Sequence, residues 1–438
     1  MKFRHNSSVY GVCVLVPLRS TVFCLITLIM MSTATTVWAK STVTKKAVYK
    51  TTVAKSARLG GDAKRITFAV NLSKKVAFKV FTLGKPYRVI IDLPEVKFQF
   101  PSGLGRKGKG LVSAYRYGLF APGKSRIVID VKDPVLVTKS QIFAATGDKP
   151  ARIEIVLVKT SQDKFALSLA KRKLVKDPSP QKPVTKKPVS KKKTKDAAPK
   201  EDPRPMIVID PGHGGVDPGA IGSKGTIEKK IVLMFSKRLK KQLLATGLYR
   251  VAMTRDIDTY IPLHDRVKIG RRNKASLFIS IHADSISRKR SRRNSVRGAS
   301  IYILSEKASD AEAKALAALE NRSDIIAGIE LPESENPVTN ILIDLAQRET
   351  NELSYMFAKL QLKQMRGAVK LHGYRTRSAG FRVLKAPDTP SVLLELGYLS
   401  SIHDEKNLKS PKWQKKMGEV LLKSIEAYFT QQVAVNPY

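Results

Sequence analysis

Apolar residues along this chain change their spacing twice. From residue 40 to about residue 162 they come in short β-branched runs: RITFAV at 65–70, AFKVF at 77–81 and RVIIDL at 88–93. SRIVIDV at 125–131 and RIEIVL at 152–157 repeat the pattern, with Gly, Pro, Asn and Lys between the runs. Several short strands at this spacing predict a small all-β sandwich. The region has no histidine and no catalytic constellation, so it reads as a binding module. Apolar positions then nearly vanish in KRKLVKDPSPQKPVTKKPVSKKKTKDAAPKEDPRP, which ends at Pro205. Like charges, prolines and low hydrophobicity predict a disordered linker over 163–205. Beyond it the period lengthens. Met206–Ile209 is a short apolar run, followed by a helical pattern from Glu228 to Leu244 and a strand at 250–254. A helix at 263–273 and a strand at 276–281 come next. Strands alternating with helices predict an α/β domain over 206–432, with a mostly parallel central sheet flanked by helices.

The first 39 residues have the order of an export signal. Lys2, Arg4 and Arg19 precede an apolar stretch from Thr21 to Met31, and small residues lead up to Ala39. That stretch is too short for a permanent membrane span, although an uncleaved tether is the alternative reading. No twin arginine precedes it, which favours the general secretory route. Both cysteines, Cys13 and Cys24, lie inside this presequence. A mature chain starting near Lys40 has no disulfide, thiolate ligand or cysteine nucleophile, so any metal must be held by His, Asp or Glu. The net charge of +44 fits a polyanionic partner. No aromatic-studded motif accompanies the lysines, so wall polymers or a membrane surface rank above nucleic acid.

Ligands of parallel sheets bind beyond the carboxyl ends of the strands. Of six histidines, His213 follows IVIDPG and His282 ends SLFISIH, which places both on one sheet edge. Gly212, Gly214 and Gly215 allow close approach around His213, and no Gly-Lys-Ser/Thr follows to make the loop a phosphate cradle. An open catalytic zinc site commonly takes two histidines and one glutamate. Glu228 opens the next helix and returns near that edge; it reads equally as a ligand or as a helix-start carboxylate favoured by the macrodipole. Glu395 ends the apolar run PSVLLE, and a glutamate there needs a partner or a task. General base, then acid for a leaving amine, is such a task.

DPGHGG with Glu228, SIHAD and PSVLLELGYLS resemble, in order and over Met206 to Phe429, the zinc N-acetylmuramoyl-L-alanine amidases of the type called amidase 3. The resemblance implies Zn2+ on His213, Glu228 and His282, with Glu395 as the catalytic glutamate. It also implies a substrate: the amide between the muramic lactyl group and L-alanine of peptidoglycan stem peptides. Asp284 stands where many relatives have Asn. KVAFKVFTLGKPYRVIIDLPEV resembles the AMIN domain, which implies wall binding and placement at the division site. The expected location is the periplasm, and the expected work is wall remodelling and daughter-cell separation. A related zinc peptidase or deacetylase, or a non-catalytic wall-binding protein, is the competing reading.

Residues 305–366 form a long insert for a compact α/β domain. Between 305 and 337 it carries eight acidic residues against three basic ones, opposite in sign to the surrounding chain. Apolar positions at 342, 345, 346, 353, 356, 357 and 360 predict a packed helix within 338–365. The acidic stretch reads as a solvated helix or as a regulatory lid. Autoinhibition of division-associated amidases, relieved by an activator with a LytM-type domain, implies the lid. Glu320 is the first choice for the plug, with Glu312 or Asp324 as alternatives. A basic cluster at 288–293 is expected near the rim of the site.

Overall fold

The computed structural model describes residues 51–101, 103–176, 202–285, 296–329, 341–373 and 375–435. The export signal with both cysteines, the linker from residue 177 to 201, the basic cluster at 288–293 and residues 330–340 lie outside the described residues. Nine strands come first: β1 (Thr52–Gly61), β2 (Arg65–Leu72), β3 (Lys79–Leu83), β4 (Arg88–Pro94), β5 (Val96–Phe98), β6 (Val112–Ala121), β7 (Lys124–Val131), β8 (Val135–Phe143) and β9 (Ala151–Lys159). They make two sheets, ordered β5-β1-β2-β9-β8 and β3-β4-β7-β6. Period-two alternation turns Ile66, Phe68, Val70 and Leu72 of β2 inward against Val89 and Ile91 of β4 and Ile127 and Ile129 of β7. The result is the expected sandwich.

The predicted linker is corrected at its start. Helix α1 (Gln162–Lys176) occupies its first turns and packs back on the sandwich. Phe165 meets Tyr87 edge-on at 5.1 Å, and the Arg172 guanidinium sits 4.3 Å over the Phe81 ring. A few anchors suffice here, and the surrounding lysines mask them in any composition average.

The second half comprises β10 (Met206–Pro211), α2 (Glu228–Ala245), β11 (Arg250–Met253), α3 (Leu263–Arg272), β12 (Leu277–His282), β13 (Ser300–Leu304), α4 (Ala311–Glu320), α5 (Ser323–Ile326), α6 (Ile341–Met365), β14 (Arg377–Ala379), β15 (Ser391–Glu395), α7 (Ile402–Lys409) and α8 (Pro411–Val435). The sheet order is β11-β10-β12-β15-β13-β14, parallel except where β13 meets β15. Alternate residues of the central strands bury on opposite faces. Ile207, Ile209, Ile279, Ile281, Val392 and Leu394 pack under α2, α6 and α8. Val208, Phe278 and Leu393 face α3 and α4. Phe357 of α6 is buried and Met356 and Leu360 pack beside it, as the helical spacing predicts; the side chains at 342, 345 and 346 lie outside the description. Among the described residues no helix is long and apolar enough to cross a membrane.

One buried charge pair fixes the carboxyl end of the central strands. Asp210 accepts from Arg266 Nη1 at 2.8 Å, Thr254 Oγ1 at 2.5 Å and Ser280 Oγ at 2.7 Å. Arg266 also donates to the carbonyls of Pro211 and His213, at 2.8 and 2.7 Å. Burial works against the Asp210 charge; the guanidinium and the Thr254 and Ser280 hydrogen bonds together outweigh it, holding the carboxyl below its usual range. Arg266→Met would leave that carboxylate buried and unpaired, so urea unfolding should register a loss of about 3–5 kcal/mol. A loss within ~0.5 kcal/mol, the scale of an ordinary surface change, would contradict this account.

Candidate metal centre

Parallel register brings three strand ends to one place. Pro211 of β10 pairs with Ile281 of β12, and His282 of β12 pairs with Glu395 of β15. His213, two residues past β10, and His282 therefore leave the same edge, with ring centroids 4.9 Å apart. His213 is held at a left-handed φ of 57°, a conformation costing a non-glycine residue on the order of 1 kcal/mol or more. Arginines impose it. Arg266 grips the His213 carbonyl, while Arg255 donates to those of Pro211 and Gly212 at 2.9 and 2.7 Å. Gly212 is required for a second reason: a Cβ there would lie 2.4 Å from His282 Cε1.

Glu228 is fully buried at the start of α2. Its oxygens accept from the amides of Ala283 at 2.8 Å and Ala220 at 2.7 Å, neither of them an amide of its own helix. Its Oε1 lies 3.1 Å from His213 Nε2 and 3.3 Å from His282 Nδ1. Glu320, the last residue of α4, brings Oε2 to 3.5 and 3.1 Å of the same two nitrogens. One ligand atom from each of His213, His282 and Glu320 can be chosen so that all lie within 4.8 Å of one another. The structure thus gathers four predicted residues around one point.

The donors fit a divalent cation. His213 Nε2 and His282 Nδ1 are buried with no hydrogen-bond partner, while His213 Nδ1 is 2.9 Å from Asp217 Oδ2. A metal-ligating histidine is usually oriented by such a carboxylate on its other nitrogen. Burial alone would push both imidazoles down. Glu228, Asp217 and Glu320 outweigh it at His213, which rises well above its ordinary value; Glu320 and Glu228 push His282 up to about 10. Burial opposes the Glu228 charge, and the two histidines still hold that carboxyl well below its usual range. A field this negative favours two positive charges between the rings, which is what a divalent cation supplies.

Glu395 is also fully buried. Its Oε2 accepts from the Asp284 amide at 3.0 Å, and Oε1 has no hydrogen-bond partner. Burial raises it well above the usual carboxylate range; His282 opposes this, and Asp284, Glu228 and Glu320 add to it. Burial, then the charges of Glu320 and Glu228, push Asp284 up to about 7. The two alternative plugs lie elsewhere. Glu312 pairs with His372 Nε2 at 2.7 Å, and Asp324 accepts from Tyr260 Oη at 2.6 Å and the Leu263 amide at 3.0 Å. Sequence reasoning missed Asp210, Asp217, Arg255 and Arg266. Asp210, inside DPGHGG, and Asp217, four residues after His213, carried a local signal; Arg255 and Arg266 carried none. A cavity of about 330 Å³ opens beside the cluster, lined by His213, Asp217, Glu228, Asp284, Leu319 and Glu320.

Comparison with known proteins agrees with this geometry. Residues 207–427 match the family model described as N-acetylmuramoyl-L-alanine amidase, and residues 55–157 match the AMIN domain. The chain is 34% identical to N-acetylmuramoyl-L-alanine amidase AmiC of Escherichia coli O6:H1 over 368 residues, 82% of this chain and 85% of that one. It is 32% identical to AmiC of Neisseria meningitidis serogroup B over 419 residues, 92% of this chain and 97% of that one. This chain belongs to the N-acetylmuramoyl-L-alanine amidase family. Its substrate is peptidoglycan and its reaction is hydrolysis of an amide. A solved structure, AmiC2 of Nostoc punctiforme, is 27% identical and covers 52% of this chain and 97% of that one, with a TM-score of 0.37.

In this amidase the segment that follows Glu320 is gripped from two sides. On the catalytic side, Ser323 Oγ donates to Asp217 at 2.5 Å, beside the Asp324 bonds to Tyr260 and Leu263. On the other side the AMIN domain takes four consecutive carbonyls. Arg88 donates to Ile325 and Arg116 to Ile326 at 2.7 Å; Arg126 donates to Ala327 at 3.2 Å and Gly328 at 3.0 Å. Asp92 and Asp130 orient Arg126 and Arg116. Phe120 stacks on Tyr260 at 6.1 Å and lies 3.6 Å under the Arg126 guanidinium. Charge-assisted bonds of this kind contribute about 1.5–3 kcal/mol each. Replacing Arg116 and Arg126 together with alanine should speed amide exchange at Ala327, Gly328 and Ile329 by roughly 10–100-fold. Unchanged hydrogen–deuterium exchange across this stretch would show that the grip contributes nothing.

Proposed function

We propose that this chain is a zinc-dependent, exported amidase that cuts between the muramic lactyl group and L-alanine, with its own Glu320 blocking the site at rest. The observation that carries this reading is the convergence of Glu228 and Glu320 on two partnerless imidazole nitrogens, beside the unbonded Oε1 of Glu395. His213, Glu228 and His282 would hold Zn2+, with Glu320 taking the fourth, catalytic position. Zinc in such a site polarises a carbonyl and brings the pKa of water near 7.

The remaining work belongs to side chains. Glu395 is anchored through Oε2 by the Asp284 amide, which leaves Oε1 to accept a proton from water and return it to the leaving amine nitrogen. Asp217 fixes which nitrogen of His213 faces the centre. α4 and the residues after it exclude substrate, so activity needs a partner that pulls this segment away; a LytM-domain activator in the periplasm is the candidate. The AMIN domain places the enzyme on the wall, and daughter-cell separation is the process served.

Two outcomes test this. Asp217→Asn should weaken Zn2+ binding about 10–100-fold, read by competition with a chelating dye. Purified Glu320→Lys should digest sacculi at least roughly tenfold faster than the parent chain without any activator. Mass analysis should find intact stem peptides that begin with L-alanine. Adding Glu395→Ala should cut that rate by about 10²–10⁴ while zinc stays bound. Parity between Glu320→Lys and the parent would remove the plug; a different released fragment would reassign the bond.

A further inference from the structure

Glu320 is one of two carboxylates that α4 presents to the catalytic half. Eight residues earlier on the same helix, Glu312 sits in a separate cationic niche built by the strands beyond Glu395. His372 Nε2 lies 2.7 Å from its Oε1, Arg377 Nη1 3.1 Å and Tyr398 Oη 3.5 Å. The niche is braced from behind. Arg377 also donates to Tyr302 Oη at 3.1 Å, and Tyr302 and Tyr398 hydroxyls are 3.5 Å apart. Register sets the location: Tyr302 pairs with Arg377 on one side and with Leu393 on the other, two residues before Glu395. A cavity of about 350 Å³ joins the niche to the catalytic edge through Tyr398, Leu319 and Asp284. The groups that welcome Glu312 hold its carboxyl down to about 2, His372 first and Arg377 after it, against the effect of burial.

A helix that covers both the catalytic centre and this niche stands where the substrate must lie once the helix has left. Arg377, only 11% exposed along its side chain, is also 3.5 Å from Asp310, the N-cap of α4, and would face the cavity without either carboxylate once that helix has left. A mostly buried guanidinium deprived of its counterion is costly, so the open enzyme favours an incoming acid there. The spacing suits a peptide. Eight residues of helix separate Glu312 from Glu320 by about 12 Å. An extended peptide advances ~3.3 Å per residue, so an acidic group on the second to fourth residue of the stem reaches the niche while the scissile amide lies at the centre.

We propose that His372, Arg377 and Tyr398 form a carboxylate subsite that binds an acidic group of the stem peptide, and that Glu312 occupies it in the closed state. The subsite rests on the reading that α4 moves aside for substrate. Glu312 is thus a mimic of the peptide acid, as Glu320 is a blocker of the reacting position. Arg377 acts on binding and not on bond cleavage.

The test compares two soluble muropeptides in the Glu320→Lys chain, one with free stem carboxylates and one with them amidated. The acidic substrate should show a roughly tenfold lower KM, the scale of one charge-assisted contact. Adding Arg377→Gln should erase that difference, leaving kcat within about twofold and the amidated substrate unaffected; Arg377→Lys should restore part of it. Equal KM values for the two substrates before the Arg377 change, or an equal rise for both after it, would overturn the subsite. The amidated substrate also reports folding, since a misfolded variant would lose it too. Adding Glu312→Gln to the Glu320→Lys chain separates the two ideas. A lower KM for the acidic substrate there supports the subsite even where Glu320→Lys proves no more active than the parent, an outcome that removes only the plug. An unchanged KM in Glu312→Gln counts against the subsite.

Discussion

The buried pair of Asp210 and Arg266 is the constraint from which the rest of the catalytic centre follows. A carboxylate in the middle of a sheet is tolerated only because Arg266, Thr254 and Ser280 all donate to it. The same guanidinium then reaches past the end of β10 to the His213 carbonyl and, with Arg255, fixes a loop that local preference would not choose. The unfavourable φ at His213 is the visible cost, offset by the bonds that Arg255 and Arg266 make to the carbonyls of residues 211–213. Because β12 and β15 are tied to β10 by register, placing His213 also sets its relation to His282 and Glu395. Glu228 arrives by another route, through the turn into α2, and loop amides of both neighbours hold it in line.

Around that frame the electrostatics are unbalanced on purpose of chemistry rather than of folding. Glu228, Glu320, Glu395 and Asp284 are all buried near two imidazoles. Such a group of acids raises some carboxyls and raises the histidines, the pattern seen here at Asp284, Glu395, His213 and His282. A divalent cation relieves that repulsion without demanding protons. The charge is therefore a reason for the ligand set to be selective for metal, and a reason for an added carboxylate such as Glu320 to be accepted at the centre.

How much of this was legible in the residues depended on whether the signal was local. His282 and Glu395 each end an apolar strand and His213 follows one by two residues, so one rule about parallel sheets locates all three. Glu228 remained ambiguous because a carboxylate at the start of a helix has an ordinary explanation; its hydrogen bonds to Ala220 and Ala283 are nonlocal and cannot be read from spacing. Asp210 and Arg266 are 56 positions apart, and their pairing is equally invisible. The helix α1 was hidden by its lysines, and its anchor Phe165 makes sense only once Tyr87 is beside it. The outer face of the sandwich was hidden differently. Ile90 and Val128 belong to the runs RVIIDL and SRIVIDV, whose consecutive apolar residues VII and IVI suit either face. They are fully buried because Gly328 and its neighbours cover them, which no reading of one strand at a time can reveal.

That covered face changes what the AMIN domain is for. A module that only tethered the enzyme to the wall would need no contact with the catalytic half. Here three arginines of one sheet, two of them oriented by aspartates of the same sheet, converge on carbonyls that lie five to eight residues after Glu320. Backbone carbonyls offer no sequence specificity, so the recognition lies in the path of the chain: these four groups line up only while the segment keeps its turn after Glu320. The opposite side of that segment bonds through Ser323 to Asp217, the carboxylate that orients His213. Loosening either side therefore weakens the other, since both act on the same few residues. The grip on this segment is cooperative, and its stability is shared between the metal centre and the AMIN domain.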